Sequence, residues 1–184
     1  MIQLPPVPDW NRLHPLVVHF PTAILLVAPL FVILGAVVAP PRDKPFLASA
    51  LIIMVISTIS LFVALQTGET ASELVGRTAQ VKEVLKLHDS LAETTCLLFS
   101  VLTVVFAHLL VLPKILRREL SRTLSASLLA AFLILYATGA LFLVNTGHQG
   151  GRMVHELGVD AQISVSTESV ALPSSCIPEE SARN

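Results

Sequence analysis

Residues 46–66 read FLASALIIMVISTISLFVALQ, a continuous apolar run without a charged side chain. A helix rises about 1.5 Å per residue, so a run of this length can cross a hydrocarbon core of about 30 Å. A helix also satisfies its own backbone hydrogen bonds inside lipid. Together with three other long, predominantly apolar stretches, this run predicts four membrane spans, which are Leu16–Ala39, Phe46–Gln66, Leu91–Leu112 and Leu124–Asn145.

The composition of the whole chain agrees with insertion into a membrane. Hydrophobic residues make up 53% of the 184 residues and charged residues only 14%, which is too little charge to cover a soluble domain. The net charge of -1 provides no basic field for nucleic acid, so no nucleic-acid partner is expected. Cys96 and Cys176 are too few and too far apart for a disulfide-stapled scaffold.

The connections between the spans predict the order of the helices. Proline and charged residues at 40–45 and 113–119 end spans one and three, and both connections are short, so each joins antiparallel neighbours. The connection from Thr67 to Asp89 is longer and carries apolar residues at helical intervals, which predicts an interfacial amphipathic helix between spans two and three. The predicted fold is an all-α, polytopic membrane four-helix bundle with up-down-up-down order.

Three segments follow from this pattern. Residues 1–15 form a predicted periplasmic N-terminal segment, residues 16–158 the four-span domain, and residues 159–184 a polar tail with the composition of a disordered segment. Inside span one, Pro21 and Pro29 each remove a helical hydrogen bond. We expect neighbouring helices to satisfy the carbonyl groups that these prolines leave free.

The distribution of charge predicts the orientation of the bundle. Six basic and two acidic residues lie in and beside the two short connections, whereas the other end of the bundle holds both termini, six basic residues and eleven acidic ones. Lys and Arg concentrate in short cytoplasmic loops. We therefore expect a multi-pass protein of the bacterial inner, or cytoplasmic, membrane, with both termini in the periplasm.

Histidines gather at the end of the predicted bundle that holds the termini. Ionisable side chains at membrane depth are costly and usually face the bundle interior. Neutral imidazole is a common ligand of transition metals and of haem iron. A cofactor or metal site is therefore predicted at this end, where five of the six histidines lie: His14, His19, His88, His148 and His155.

The spacing of the histidines indicates which of them act together. His14 and His19 are separated by about 140° on a continuous helix, so they cannot both face one centre. His14 precedes Pro15 and fits a helix cap, which makes His19 the expected inward residue, at the depth of His88. The predicted ligands of haem or a metal ion are therefore His19 and His88, with His14 and His148 as alternates.

Two other interpretations of these residues stay open. Each histidine could form a hydrogen bond to a backbone carbonyl or to a neighbouring carboxylate without binding any cofactor. His88 could also join Glu69, Glu73 and Glu93 in a carboxylate and histidine metal site, although such acids more often form a solvated face.

Two stretches of the chain resemble motifs of a known family. Residues 13–21, LHPLVVHFP, and residues 150–159, GGRMVHELGV, are similar to the first and last motifs of a bacterial four-helix membrane domain, domain of unknown function 2231. The similarity extends over about residues 10–160, and His14, His19 and His88 match family positions. The resemblance implies a four-span inner-membrane domain. Its relatives look as if they accompany cytochromes, which implies a haem-binding role.

These observations predict a small integral membrane protein that binds haem b or a metal ion near the outer face. It would pass electrons between a quinone or membrane complex and a periplasmic carrier such as a cytochrome. The alternative is a non-catalytic structural subunit or anchor of a respiratory complex, and a small transporter is a third hypothesis. No motif of a hydrolase or of covalent haem attachment occurs in the sequence, so an enzyme is not expected.

Overall fold

The structure, a computed structural model, describes Trp10, Val75 and the ranges 13–73, 78–117 and 121–159. The predicted tail lies almost entirely outside these residues. Within them the chain forms helices and no strand. The helices are α1 (His14–Val17), α2 (His19–Val37), α3 (Asp43–Ser72), α4 (Ala79–Ile115) and α5 (Arg122–His155).

Helices α1 and α2 together form the first span. Only Val18 separates them, one turn before Pro21, which has no N–H to donate to the carbonyl of Val17. The combined helix and each of α3, α4 and α5 are long and apolar enough to cross a membrane, with mean hydropathies of 2.3 to 2.5 in their most apolar windows. The four predicted spans and the all-helical fold are confirmed.

The predicted interfacial helix between spans two and three is not a separate element. Its first residues continue α3 as far as Ser72, and its last residues belong to α4, which begins at Ala79. The Thr78 side chain accepts a hydrogen bond from the Val81 N–H at 3.3 Å and caps α4. No Gly or Pro follows before Leu91 to break the helix, so α4 runs for 37 residues, about 55 Å. The amphipathic pattern thus belongs to the first turns of a helix that extends beyond a 30 Å hydrocarbon core.

The helices alternate in direction and form a closed bundle. Helix α2 packs against α3 and α4 against α5, while contacts between α3 and α4 and between α2 and α5 complete the ring. We call the end formed by α1, the last turns of α3 and α5 and the first turns of α4 the histidine end. The opposite end, where Arg122 donates a 3.5 Å hydrogen bond to the carbonyl oxygen of Val37, is the basic end.

The buried residues on α2 and α5 recur at spacings of three and four. On α2 and α5 they are Pro21, Leu25, Ala28, Val32 and Gly35, and Leu129, Phe132, Tyr136, Gly139 and Leu143. Large apolar side chains cover the outside, as expected for a surface in lipid, and Ile134 is 71% exposed. We call α1, α2 and α3 the first hairpin, and α4 and α5 the second hairpin. At the histidine end, the inward face of each of the four spans continues to one residue, and these residues are His14, Gly68, His88 and Gly150.

A hydrogen bond between helices compensates for the proline inside α2. Pro29 cannot donate to the carbonyl of Leu25, which lies four residues earlier. The buried Tyr136 hydroxyl on α5 donates to this carbonyl oxygen at 2.7 Å. The expectation that a neighbouring helix satisfies a carbonyl freed by proline is confirmed at this position.

Candidate functional site

The His14 side chain is half-buried at the histidine end, between its own helix and α3. Its Nδ1 lies 3.0 Å from the carbonyl oxygen of Ala64 and 3.3 Å from Thr67 Oγ1. A carbonyl oxygen can only accept, so Nδ1 carries the proton and donates. In a neutral imidazole the remaining lone pair then belongs to Nε2.

His88 on α4 is half-buried in the same way, within the second hairpin. Its Nδ1 lies 3.0 Å from the carbonyl oxygen of Thr146 on α5. The same reasoning assigns the proton to Nδ1 and the lone pair to Nε2. Each hairpin therefore supplies one imidazole from its first helix and one accepting carbonyl from its second helix.

The two imidazole rings are neighbours across the bundle, in a T-shaped arrangement. The ring centroids of His14 and His88 are 6.4 Å apart, and the ring planes are perpendicular, at 89°. Both rings lie on the inward face of the bundle because they continue the buried spacing of their helices. The tertiary structure thus brings together two imidazole side chains that are distant in sequence.

Threonine hydroxyl groups lie at the boundary between the histidine end and the apolar core. Thr67 is fully buried and its hydroxyl group contacts His14. The same hydroxyl group lies within hydrogen-bond distance of the Val63 and Ala64 carbonyl oxygens in its own helix. On α4 and α5, the hydroxyl oxygens of Thr95 and Thr146 are 3.0 Å apart. Each also lies within hydrogen-bond distance of a carbonyl oxygen one turn earlier, at 2.7 Å for Thr95 and 2.8 Å for Thr146. These hydroxyl groups provide a polar layer where the histidines enter the apolar core.

The family of the chain is shown by sequence comparison. Residues 11–162 match the family described as "Predicted membrane protein (DUF2231)". The chain belongs to this family. The DUF2231 match includes all five helices and both neighbouring histidines, and it confirms the resemblance carried by residues 13–21 and 150–159. No curated protein and no solved structure matches the chain.

The other histidines of this DUF2231 protein point away from the pair. His19, which the sequence placed inward, is exposed, because the inward face of the first span follows the line of His14 and Pro21. His148 and His155 on α5 are also exposed. His108 lies near the basic end, where its Nδ1 is 2.7 Å from the carbonyl oxygen of Val104 in its own helix.

The predicted alternative with several carboxylates is not assembled in the part of the chain that the structure describes. No group of three or more His, Cys, Asp or Glu side chains there could hold a metal ion. Glu69, Glu73 and Glu93 are exposed.

Sequence reasoning missed the residues that surround the pair. Ala64, Thr67 and Gly68 on α3 were not predicted, although a glycine inside a helix costs about 1 kcal/mol relative to alanine and usually has a packing or functional reason. That cost was the available signal for Gly68. The roles of the Ala64 and Thr146 carbonyl groups could not be predicted from the sequence, because every residue has a backbone carbonyl group.

Proposed function

We propose that this protein is a membrane electron-transfer subunit that binds haem b, or less favourably a bare transition-metal ion, between His14 and His88. The observation that carries the proposal is the neighbouring pair of inward imidazoles, 6.4 Å apart. The proposal keeps His88 from the sequence prediction and exchanges His19 for His14, which the sequence had treated as an alternate ligand.

The separation of the rings supports a shared centre. A metal ion that bound one nitrogen of each ring, with bonds of about 2.0 Å, would require the two imidazoles to lie as neighbours, and they do. Metal-binding histidines usually donate their other ring N–H to a carbonyl or carboxylate, which fixes the ring and makes the ligating nitrogen more basic. The bonds from His14 to Ala64 and from His88 to Thr146 have this form.

When bound, haem would supply one-electron chemistry, and the protein would supply its ligands and its environment. His14 and His88 would hold the iron through Nε2. The buried Phe99 and Tyr136 rings, whose centroids are 5.3 Å apart, lie in the apolar core on the membrane side of the pair. The exposed carboxylates of the histidine end leave the site next to solvent on the other side.

The charge distribution supports an orientation with the histidine end outside a bacterial inner membrane. Basic residues flank the two short connections at the opposite end, among them Arg42, Lys44, Lys114, Arg117 and Arg122. Both termini would then face the periplasm. Electrons would pass between a quinone or a respiratory complex in the membrane and a periplasmic carrier such as a cytochrome.

An absorption spectrum of the purified full chain tests this function directly. Protein from haem-replete cells, reduced with dithionite, should give the sharp visible bands of six-coordinate haem. His14→Ala and His88→Ala should each abolish these bands, whereas His19→Ala, an exposed control on the same helix, should keep them. A preparation without haem and without bound transition metal would contradict the proposal, and so would bands that survive both substitutions.

A structural subunit or anchor is the second candidate, and one observation favours it. The histidine bonds join α1 to α3 and α4 to α5, so the imidazoles can act as links between helices without a cofactor. This function predicts that His14→Asn and His88→Asn, which keep a donor N–H, preserve the yield of the folded protein while His→Ala lowers it. It also predicts no visible absorption in any of these variants.

A further inference from the structure

We infer that Gly68 and Gly150 are positioning residues. Because they have no side chain, the imidazoles of His14 and His88 can reach the carbonyl oxygens of Ala64 and Thr146, which holds both rings as the Nδ1–H tautomer. The ligand class that follows is an electron-pair acceptor, meaning a transition-metal centre bound by two Nε2 atoms. The ligand class rests on the proposed function, whereas the positioning role stands on the contacts of the protein alone.

The contact at Gly68 is the closer of the two. A Cβ atom at this position would lie 2.9 Å from His14 Cε1 and 3.2 Å from His14 Nδ1. Carbon atoms in contact prefer about 3.5–4.0 Å, so an alanine here would push the ring out of its place. The imidazole occupies the space that any other residue would fill.

The contact between Gly150 and the His88 ring is slightly less close. A Cβ atom there would lie 3.4 Å from His88 Cε1 and 3.7 Å from Nδ1. This is the lower edge of ordinary contact between carbon atoms, so an alanine fits. A branched side chain does not fit without moving the ring.

The positions of the two glycines follow one geometric rule. Gly68 lies four residues after Ala64, and Gly150 lies four residues after Thr146, the two residues whose carbonyls accept from the histidines. In a helix, Cβ points toward the N-terminus and covers the preceding turn, including the carbonyl four residues earlier. A glycine at that position exposes the carbonyl to a side chain from a neighbouring helix.

The same arrangement occurs once in each hairpin. The first hairpin provides His14, Ala64 and Gly68, and the second provides His88 and Thr146 with Gly150. Since Nδ1 is occupied as a donor in both rings, Nε2 is left as the lone-pair donor in both. Two such atoms suit a Lewis-acidic metal centre, and an anion would find no N–H from these nitrogens.

Nitrogen NMR of the protein without added metal or haem tests the positioning role. Histidine labelled with ¹⁵N is observed in detergent at about pH 8, where an ordinary imidazole is neutral, and the six residues are assigned by single substitutions. In the unchanged chain, both His14 and His88 should be protonated at Nδ1. Protonation at Nε2 in either ring would overturn the inference whatever the variants do.

Glycine variants with matched controls complete the test. Gly68→Ala should abolish the single Nδ1–H state of His14, and Gly150→Val should do so for His88, whereas Gly150→Ala should not. Gly147→Val and Gly151→Ala are controls on α5, because a Cβ atom at either position meets nothing within 4 Å. If the glycine variants leave the tautomers unchanged, or the controls alter them equally, the glycines do not position the rings.

Titration with hemin and, separately, with Co²⁺ alone distinguishes this inference from the proposed function. Hemin should bind the unchanged chain, and the absorption bands of the bound hemin should be at least tenfold weaker in Gly68→Ala and unchanged in Gly151→Ala. This result would support both the positioning role and the proposed function. Correct tautomers without binding of either ligand would overturn the metal-centre ligand class and the proposed function, leaving the positioning role intact. Binding of Co²⁺ but not hemin would identify a bare metal ion as the ligand. Binding that is insensitive to Gly68→Ala would overturn the positioning role alone.

Discussion

The hydroxyl group of Tyr136 on α5 donates a 2.7 Å hydrogen bond to the carbonyl oxygen of Leu25 on α2, which Pro29 leaves without a helical donor. Tyr136 is fully buried among Phe99 and Phe132, with ring centroids 5.3 and 5.9 Å from its own. Its ring therefore packs in the core, while its hydroxyl group supplies the hydrogen bond that Pro29 cannot donate. This bond also joins the first and last spans and so helps to close the bundle.

The first prediction concerns this bond. Tyr136→Phe should lower the free energy of unfolding in detergent by about 1–2 kcal/mol, because it leaves the Leu25 carbonyl buried without a donor. In a Pro29→Ala background the same substitution should cost much less, since residue 29 then donates to Leu25 itself. Equal losses in both backgrounds, measured as a double-mutant cycle, would show that the bond to the freed carbonyl is not the cause.

The second prediction concerns close packing of glycine between helices. A Cβ atom on Gly35 would collide with the Leu47 side chain, and one on Gly139 would lie 3.1 Å from Leu102 and 3.3 Å from Phe99. Gly35→Ala should therefore destabilise the bundle by about 1–3 kcal/mol through overpacking. Unfolding by a denaturing detergent measures the loss.

The control for this measurement is Gly147→Ala, because a side chain there meets open space. It should be neutral or slightly stabilising, since alanine is the better helix former. Leu47→Ala should restore part of the stability of Gly35→Ala by making room. A Gly35→Ala protein as stable as the Gly147→Ala protein would contradict the packing that the structure describes.

The third prediction concerns a polar contact between the two central helices. The hydroxyl oxygens of Thr58 on α3 and Thr103 on α4 are 2.9 Å apart in the buried core. Thr58→Val and Thr103→Val should each cost about 0.5–1.5 kcal/mol, and the double variant should cost less than the sum because both remove one bond. The exposed Thr138→Val serves as the reference. Additive losses would indicate that the two hydroxyl groups do not interact.

The fourth prediction concerns the orientation of the bundle. In a Cys176→Ser background, Glu73→Cys at the histidine end should react with a membrane-impermeant maleimide on intact bacterial cells. Lys44→Cys at the basic end should react only after the cells are opened. Both positions are exposed, and the remaining Cys96 is buried. The reverse labelling pattern would invert the proposed topology.

Much of the architecture was predictable because the membrane imposes simple requirements on length and hydrogen bonding. Apolar runs such as 46–66 had to be helices long enough to span lipid, and the short connection at 40–45 had to join antiparallel neighbours. The error between spans two and three has a local cause. Polarity after Thr67 was interpreted as the end of the spans, whereas α3 and α4 extend beyond the hydrocarbon core without changing direction.

The sequence by itself determined the number of spans, their order, the family and the end of the bundle at which histidines gather. It did not determine which histidine faces inward, because lipid and protein core are both apolar and the pattern of a span barely distinguishes them. That choice depends on the rotation of each helix about its axis, which is set by packing between helices. On the first span, Pro21 and Leu25 are buried on the inward face, and His14 continues this face whereas His19 lies off it and is exposed. The pair of His14 and His88, with a glycine beside each ring, therefore exists only in the tertiary structure.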